Sequence, residues 1–144
     1  MTTSARNREA SPLETAVGRI GDRWAMLIVE ALLGGPQRFG DLGTAVRGIA
    51  PNVLSQRLKA LERNGIVVAR PYSRRPLRHV YELSAPGQEL GGALRLLAHW
   101  GARSSDDTTA PRHDTCGTAL ETRWYCPTCA AVVADDEESD LRFL

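Results

Sequence analysis

The sequence predicts a mainly α protein with a small β-hairpin, an α+β fold, followed by a short module that carries the cysteines. Apolar residues recur at helical spacing through residues 12–64 and again through 85–100. Two β-branched or aromatic-rich stretches, at residues 66–72 and 78–84, flank the turn-prone segment SRRPL. The cysteines all lie in residues 113–129, beyond a polar linker. These observations indicate a helical domain with one hairpin and a separate C-terminal module.

Length and composition limit the class of protein. The chain has 144 residues, of which 42% are hydrophobic and 24% are charged, as in ordinary soluble globular proteins. We expect one core of about 90 to 100 residues plus an appendage. No apolar run reaches the roughly 18 residues of a membrane span, and the polar start MTTSARNREA lacks the apolar region of a signal peptide. We therefore predict a cytoplasmic protein with no membrane partner.

Two helices are predicted at the start of the domain. The first begins at Pro12, with Ser11 as its N-cap, and runs to Ile20. The second, RWAMLIVEALLGG, is apolar nearly all round and ends at Gly34 and Gly35. We therefore expect it to be the buried central helix of the core.

A helix-turn-helix is predicted next. Phe39, Leu42 and Val46 have the spacing of one helix face, and the turn RGIA at residues 47–50 leads to Pro51, which opens a second helix. Three leucines share one face of that helix and polar residues share the other: Leu54, Leu58 and Leu61 against Asn52, Gln56, Lys59 and Arg63, with Ser55 beside them. A helix of about 14 residues is roughly 20 Å long, so the polar face can lie in a major groove. The alternative is an ordinary solvated helix face.

The hairpin that follows is basic. It carries four arginines, Arg70, Arg74, Arg75 and Arg78, and two of them lie in the turn segment. A basic hairpin directly after a helix-turn-helix is typical of a wing, whose arginines contact phosphates or the minor groove. The alternative is that these charges only protect the hairpin edge from pairing with other strands.

The last predicted helix of the domain has two apolar stripes. Ser84 is its N-cap, and the helix covers residues 85–100. One stripe consists of Leu90, Leu94 and Leu97, and the other of Ala93, Leu96 and Trp100. Since one stripe suffices for the core, the other predicts a second burying surface and hence a homodimer.

Charge separates a basic middle from an acidic end. Between Arg47 and Val80 there are eight Lys and Arg residues against the single Glu62, whereas from Gly101 to Leu144 there are four against nine Asp and Glu. Positive charge concentrated in a folded segment is expected for a polyanion partner. Double-stranded DNA is therefore the predicted partner.

These blocks resemble the HxlR-type bacterial transcription regulators, a winged-helix branch of the MarR-like proteins. The resemblance covers about residues 11–101, through GDRWAMLIVEALLGGPQRFGDL, VLSQRLKALERNGIV, RHVYELSAPG and HWG. It implies a homodimer whose N- and C-terminal helices form the interface. It also implies that helix 51–64 reads the major groove and that the wing, residues 66–84, reaches the flanking backbone or minor groove.

The resemblance also implies a site that this chain lacks. Many members have a cysteine immediately before the proline of the first helix, and in some of them it senses electrophiles or oxidants. Here that residue is Ser11, so thiol sensing at this position is chemically excluded. An unknown small-molecule effector that acts elsewhere is left open.

The segment HDTCGTALETRWYCPTC has the spacing of metal ligands. His113-x2-Cys116 is followed by Cys126-x2-Cys129, and the residues between them are long enough for a small hairpin that joins the two pairs. This zinc-ribbon layout predicts a structural zinc ion with four protein ligands and no open coordination position. Asp114 or a more distant group could replace the histidine, and the Cys-x-x-Cys pair could instead be redox-active or inert.

We therefore predict a winged helix-turn-helix plus a small C-terminal zinc-ribbon-like module. The expected order is a disordered N-terminus (1–10), a DNA-binding and dimerisation domain (11–101), a linker (102–110) and the module with its acidic tail (111–144). We find no nucleophile–base pair, phosphate loop or carboxylate pair, so we expect a sequence-specific transcription regulator and not an enzyme. The alternatives are a non-specific architectural nucleic-acid binder and a CxxC redox or protein-interaction protein.

Overall fold

The computed structural model describes residues 10–103 and 111–133. The predictions of a disordered N-terminus, of most of the linker and of the acidic tail fall on residues outside these ranges. The chain divides into two units, residues 1–94 and 95–144, with the boundary inside its longest described helix. Within the described ranges, no helix combines the length and hydropathy that a membrane span requires.

The described elements are five helices and five short strands. In chain order they are α1 (Pro12–Ile20), α2 (Arg23–Leu33), β1 (Gln37–Arg38), α3 (Phe39–Ala45), α4 (Pro51–Arg63), β2 (Val67–Arg74), β3 (Leu77–Leu83), α5 (Ala85–Ala102), β4 (Trp124–Cys126) and β5 (Ala131–Val133). The prediction of a mostly helical winged helix-turn-helix is thereby confirmed. The sequence predicted a C-terminal hairpin between Cys116 and Cys126, whereas the observed hairpin of β4 and β5 has Cys129 in its turn, because the strands that pair are only three residues long and follow the first candidate ligand pair.

The sheet of the first unit has three strands, whereas the sequence predicted two. Its order is β1-β3-β2, and every pairing is antiparallel. Strand β1 pairs Gln37 with Tyr81 and Arg38 with Val80. A strand of two residues is too short to show the alternation of period two that identifies strands in a sequence.

The wing is longer and its turn tighter than predicted. Strand β2 extends to Arg74 and β3 begins at Leu77, so Arg75 and Pro76 alone form the tip in place of the five-residue segment SRRPL. A register irregularity between Pro71 and Ser73 interrupts the ladder. Such irregularities bend a strand locally and increase its twist.

The core joins α2 to α4. The leucine stripe of α4 is buried as predicted, with Leu54, Leu58 and Leu61 no more than 1% exposed. Helix α2 contributes Ile28 and Leu32 to the same cluster. The helix is buried in the core as predicted, through Ala25, Ile28, Val29 and Leu32. Its Leu27, however, is exposed to solvent. An apolar residue on an outward helix face is common, because a folded protein has too little polar surface to cover its whole outside.

Candidate nucleic-acid interface

The outward face of α4 is polar and solvent-exposed. The side chains of Asn52, Gln56, Lys59 and Arg63 are all exposed, and Ser55 beside them is half-buried. At 100° per residue the first four fall within about 60° of one another. They lie opposite the buried leucine stripe, so packing of the core orients them towards solvent. The helix therefore presents two amides and two cations in one row.

Arg57, also on α4, is not part of that row. Its Nε donates to Oδ2 of Asp22 at 2.7 Å, and its Nη2 lies 2.5 Å from the same oxygen. The other carboxylate oxygen, Oδ1, accepts from the backbone N–H of Ala25 at 3.1 Å and caps α2. Burial by itself would raise the pKa of the Asp22 carboxyl, but these hydrogen bonds and the positive charge of Arg57 outweigh it and lower that pKa. One carboxylate thus ties α4 to the start of α2.

The four arginines predicted for the wing differ in their surroundings. Arg70 forms an ion pair with Glu82 on the neighbouring strand. Arg74, Arg75 and Arg78 are exposed, and no acidic side chain of the described residues pairs with them. The positive charge available to a polyanion is therefore concentrated at the end of the hairpin and not along its whole length.

Two further arginines extend the basic surface beyond the DNA-binding residues that were predicted from the sequence. The guanidinium carbon of Arg38 lies 4.7 Å from the ring centroid of Tyr72 in the wing. Arg38 and Arg70 are both opposite Val80 in the sheet, so their side chains project from the same face. Arg47 lies exposed in the turn between α3 and α4. Only the pairing of β1, which has no sequence signature, brings Arg38 to the wing.

The arrangement of a helix-turn-helix, an exposed polar helix face and a basic hairpin agrees with comparisons with known proteins. The family model described as HxlR-like helix-turn-helix matches residues 19–109. The chain belongs to this family. A helix-turn-helix regulator has DNA as its partner, and the prediction of a transcription regulator that is not an enzyme is confirmed by this membership.

Individual relatives agree with the family. An uncharacterised HTH-type transcriptional regulator of Mycobacterium tuberculosis is 34% identical over 125 residues, which cover 84% of this chain and 78% of that protein. The HTH-type transcriptional regulator YodB of Bacillus subtilis is 31% identical over 94 residues, covering 65% of this chain and 84% of YodB.

Solved structures show the same fold. The crystal structure of the regulator YtcD superposes with a TM-score of 0.60 at 33% identity, covering 65% of this chain and 96% of that one. The reduced form of the redox regulator HypR superposes with a TM-score of 0.62 at 27% identity, covering 67% of this chain and 95% of that one.

Ser11, where many HxlR-type proteins have cysteine, is a helix cap in this structure. Its hydroxyl accepts from the backbone N–H of Glu14 at 3.0 Å, and the Glu14 carboxylate accepts from the backbone N–H of Ser11 at 3.3 Å. This reciprocal pair is a capping box, which satisfies two backbone donors at the start of α1. The position therefore stabilises the helix end in this member of the family.

Apolar side chains remain exposed on the helices that the family resemblance assigns to dimerisation. Leu13 and Val17 of α1 are exposed. On α5, Leu90 and Leu94 pack on the core as predicted, but the third residue of their stripe, Leu97, is exposed. The other stripe is also exposed, and its Trp100 retains 63% of its surface. Each helix thus has an apolar face that remains exposed to solvent.

The four candidate metal ligands are brought together as two pairs. Nδ1 of His113 lies 3.3 Å from the sulfur of Cys116, and the sulfur of Cys126 is hydrogen-bonded by both the backbone and the thiol of Cys129. Hydrogen bonds from the hydroxyl and backbone of Thr118, and then from the histidine, lower the pKa of Cys116 to about 7. In the described part of the chain, no three His, Cys, Asp or Glu side chains lie close enough together to hold one metal ion.

Proposed function

We propose that this HxlR-family protein is a sequence-specific, DNA-binding transcription regulator that acts as a homodimer. The predicted recognition helix, residues 51–64, would lie in the major groove, and the wing, residues 66–84, on the backbone or in the minor groove. The observation that carries the proposal is the exposed row Asn52, Gln56, Lys59 and Arg63 on α4, directly opposite its buried leucines. A row of this length and composition matches a groove lined with base edges and phosphates.

The chemistry of that row suits both reading and anchoring. The amides of Asn52 and Gln56 can each donate to and accept from the edge of an adenine. Lys59 and Arg63 can reach guanine or phosphate. Ser55 is half-buried beside the row, so it can contact only a base or phosphate that comes close to the helix. We therefore assign sequence reading first to the two amides.

The wing would supply contacts that do not depend on sequence. Arg74, Arg75 and Arg78 are the wing arginines without an acidic partner in the described residues, and they lie at its end. Arg70 has Glu82 as its partner, so we assign it a smaller share of phosphate binding than the sequence suggested. Contacts of this kind fix orientation on the duplex and are salt-sensitive, because phosphate binding releases counterions.

The homodimer is supported by the exposed apolar faces of α1 and α5. Burial of Leu13, Leu97 and Trp100 against a second copy would remove apolar surface that the isolated chain leaves in water. Two copies would also present two reading helices to a palindromic site. Ser11 caps α1 and has a hydroxyl in place of a thiol, so we assign no thiol-based sensing to the start of this helix.

Selection of preferred sites from random duplex DNA by the full-length chain tests this proposal. We expect enrichment of a two-fold symmetric site whose half-sites are about one helical turn, roughly 10 base pairs, apart. DNA that is bound in a salt-dependent way but without any enriched sequence would identify an architectural binder instead. Failure to retain duplex DNA at low salt would overturn the proposal and favour a protein-interaction role.

A further inference from the structure

The two candidate ligand pairs lie in turns of the same form. The first knuckle turn is His113–Gly117 and the second is Cys126–Ala130; each consists of a ligand, two residues, a cysteine and one residue with positive φ. That last residue is Gly117 in the first turn, with φ of 69°, and Ala130 in the second, with φ of 52°. Alanine adopts this conformation only at a cost of roughly 1 kcal/mol, so a local requirement must impose the second turn.

Each knuckle turn lies at the tip of its own hairpin. Around the first, the backbone N–H of His113 donates to the carbonyl of Thr118 at 2.9 Å, and Arg112 forms an antiparallel bridge with Ala119. The second turn joins β4 to β5, in which Cys126 pairs with Ala131. Two hairpins that each end in a ligand-x2-ligand turn form the framework of a zinc ribbon.

Each turn brings its own two candidate donor atoms close together. Two ligands of a tetrahedral zinc, at about 2.0 Å for nitrogen and 2.3 Å for sulfur, lie about 3.5 Å apart. The 3.3 Å between Nδ1 of His113 and the sulfur of Cys116 is close to this value. In the second turn, the side chains of Cys126 and Cys129 are close enough to interact with each other.

Apolar burial cannot hold these hairpins together. Every described side chain from residue 111 to 133 is exposed, apart from Cys126 and Val133, which are half-buried. Even Tyr125 retains 61% of its surface. A segment of this size without a core needs a disulfide or a metal ion to fold.

A disulfide would account for only part of the motif. The chain has three cysteines, so a Cys126–Cys129 bond would leave Cys116 and its contact with His113 without a role. No three His, Cys, Asp or Glu side chains converge in the described residues, so an ion would have to draw the two pairs together. We propose that one zinc ion binds His113, Cys116, Cys126 and Cys129 and joins the two knuckle turns in this way. The ion is structural, because four protein ligands leave no position for a substrate. This site lies outside the helix-turn-helix, so it goes beyond the proposed function.

Metal analysis of the full chain, purified under reducing conditions without added zinc, is the first test. We expect about one zinc per chain. Protein stripped of metal and reduced should bind cobalt(II) with the visible absorption of a tetrahedral, thiolate-ligated ion. Iron in place of zinc, or failure to bind either zinc or cobalt after reduction, would overturn the proposal.

Ligand variants give the second test. C126S/C129S should abolish cobalt binding, and H113A should weaken it at least tenfold and change the spectrum. D114N and T128A, which alter neighbouring residues of the same turns, are the matched controls and should bind as the wild type does. Full retention of metal by C126S/C129S would exclude the site. Loss of metal in D114N with retention in H113A would overturn the assignment of His113 as the fourth ligand.

Hydrogen exchange separates this site from DNA binding. Metal removal should abolish amide protection in residues 111–133 and leave the protection of α2 and α4 unchanged, because these helices share their own core. At least part of the DNA affinity should therefore persist in stripped protein. Unchanged protection of residues 111–133 after metal removal would contradict a structural role for the ion.

Discussion

At the scale of single residues, Asp22 illustrates how one side chain can serve two elements. Its carboxylate caps α2 through the backbone N–H of Ala25 and binds Arg57 of α4. Both side chains of the ion pair are 35% exposed, so solvent weakens the attraction and the pair contributes modestly to stability. Its main effect is geometric: it fixes the start of α2 against α4, the helix that presents the exposed polar row.

The substitution D22N should remove the charge and keep the cap, since asparagine is also a good N-cap. We expect a loss of about 0.5 to 1 kcal/mol in the free energy of unfolding at neutral pH. Because the folded state lowers the pKa of Asp22, its contribution is present above the ordinary pKa of the carboxyl and is lost as the pH falls through the lowered one. Urea unfolding across this range should show wild type and variant converging in acid.

The control for this comparison is E30Q, which removes an exposed carboxylate on the same helix that forms no ion pair with any described residue. It should leave the free energy of unfolding within about 0.5 kcal/mol of wild type at every pH. A difference between wild type and D22N that did not change with pH would show that the ion pair is not its cause.

Gly87 shows a second residue-scale constraint. It is buried in the first turn of α5, and a β-carbon built at this position would clash with the backbone carbonyl of Ile66. That carbonyl cannot easily move, because it accepts from both the backbone N–H and the hydroxyl of Ser84 at 3.0 Å. The absence of a side chain therefore allows α5 to start against the end of the helix-turn-helix.

The substitution G87A should destabilise the protein by about 1 to 3 kcal/mol, as overpacking does. Its matched control is G92A in the same helix, where a β-carbon would meet nothing within 4 Å. Alanine there should stabilise the helix by up to about 1 kcal/mol. Thermal unfolding of the two variants measures both effects, and equal melting temperatures would contradict the close approach at Ile66.

At the scale of elements, α4 and the wing divide the proposed work between them. Helix α4 buries three leucines, which fixes its rotation, and presents Asn52 and Gln56 in defined positions. The end of the wing presents Arg74 and Arg75, whose long side chains can adapt to a backbone. Base reading needs defined positions, whereas attraction to phosphates does not.

Alanine substitutions should separate these roles. N52A or Q56A should cost about 1 to 3 kcal/mol on the preferred site, relax its specificity and leave binding to random DNA nearly unchanged. R74A or R75A should weaken binding to the preferred site and to random DNA alike, and should reduce the dependence of the affinity on salt concentration. Fluorescence titrations on both duplexes at several salt concentrations provide the measurement. Equal losses on the two duplexes for all four variants would sink the assignment of the readers.

At the scale of the whole molecule, the exposed apolar faces favour a second copy. Trp100 and Leu97 on α5 retain more than half of their surfaces. Each is large enough that its burial in an interface contributes substantially to association. A homodimer is also the simplest assembly that matches two reading helices to a palindromic operator.

The substitution W100E should shift the protein from dimer to monomer in sedimentation velocity at micromolar concentration, because it places a charge within the proposed apolar interface. Affinity for a palindromic site should fall at least tenfold. The control Q88E adds the same charge at an exposed position near the start of α5 and should remain dimeric. Wild-type protein that sediments as a monomer and still binds the palindrome at full affinity would contradict the dimer.

The sequence by itself determined the features that depend on local periodicity and spacing. The leucine stripe of α4, the polar row opposite it and the helix start at Pro51 all follow from the 3.6-residue repeat and from proline chemistry, and the structure contains them. The two candidate ligand pairs, His113 with Cys116 and Cys126 with Cys129, were also visible as spacing alone, and the members of each pair lie close together in the structure.

Only the tertiary structure decided which charges remain available. Arg70 is neutralised by Glu82 across the hairpin, Arg57 is held by Asp22 from 35 residues away, and Arg38 reaches the wing through a two-residue strand. Each of these results depends on residues that are distant in the chain, and such pairings leave no periodic trace in a sequence. For this reason periodicity identified the helix with the exposed polar row, whereas the composition of the basic surface required the fold.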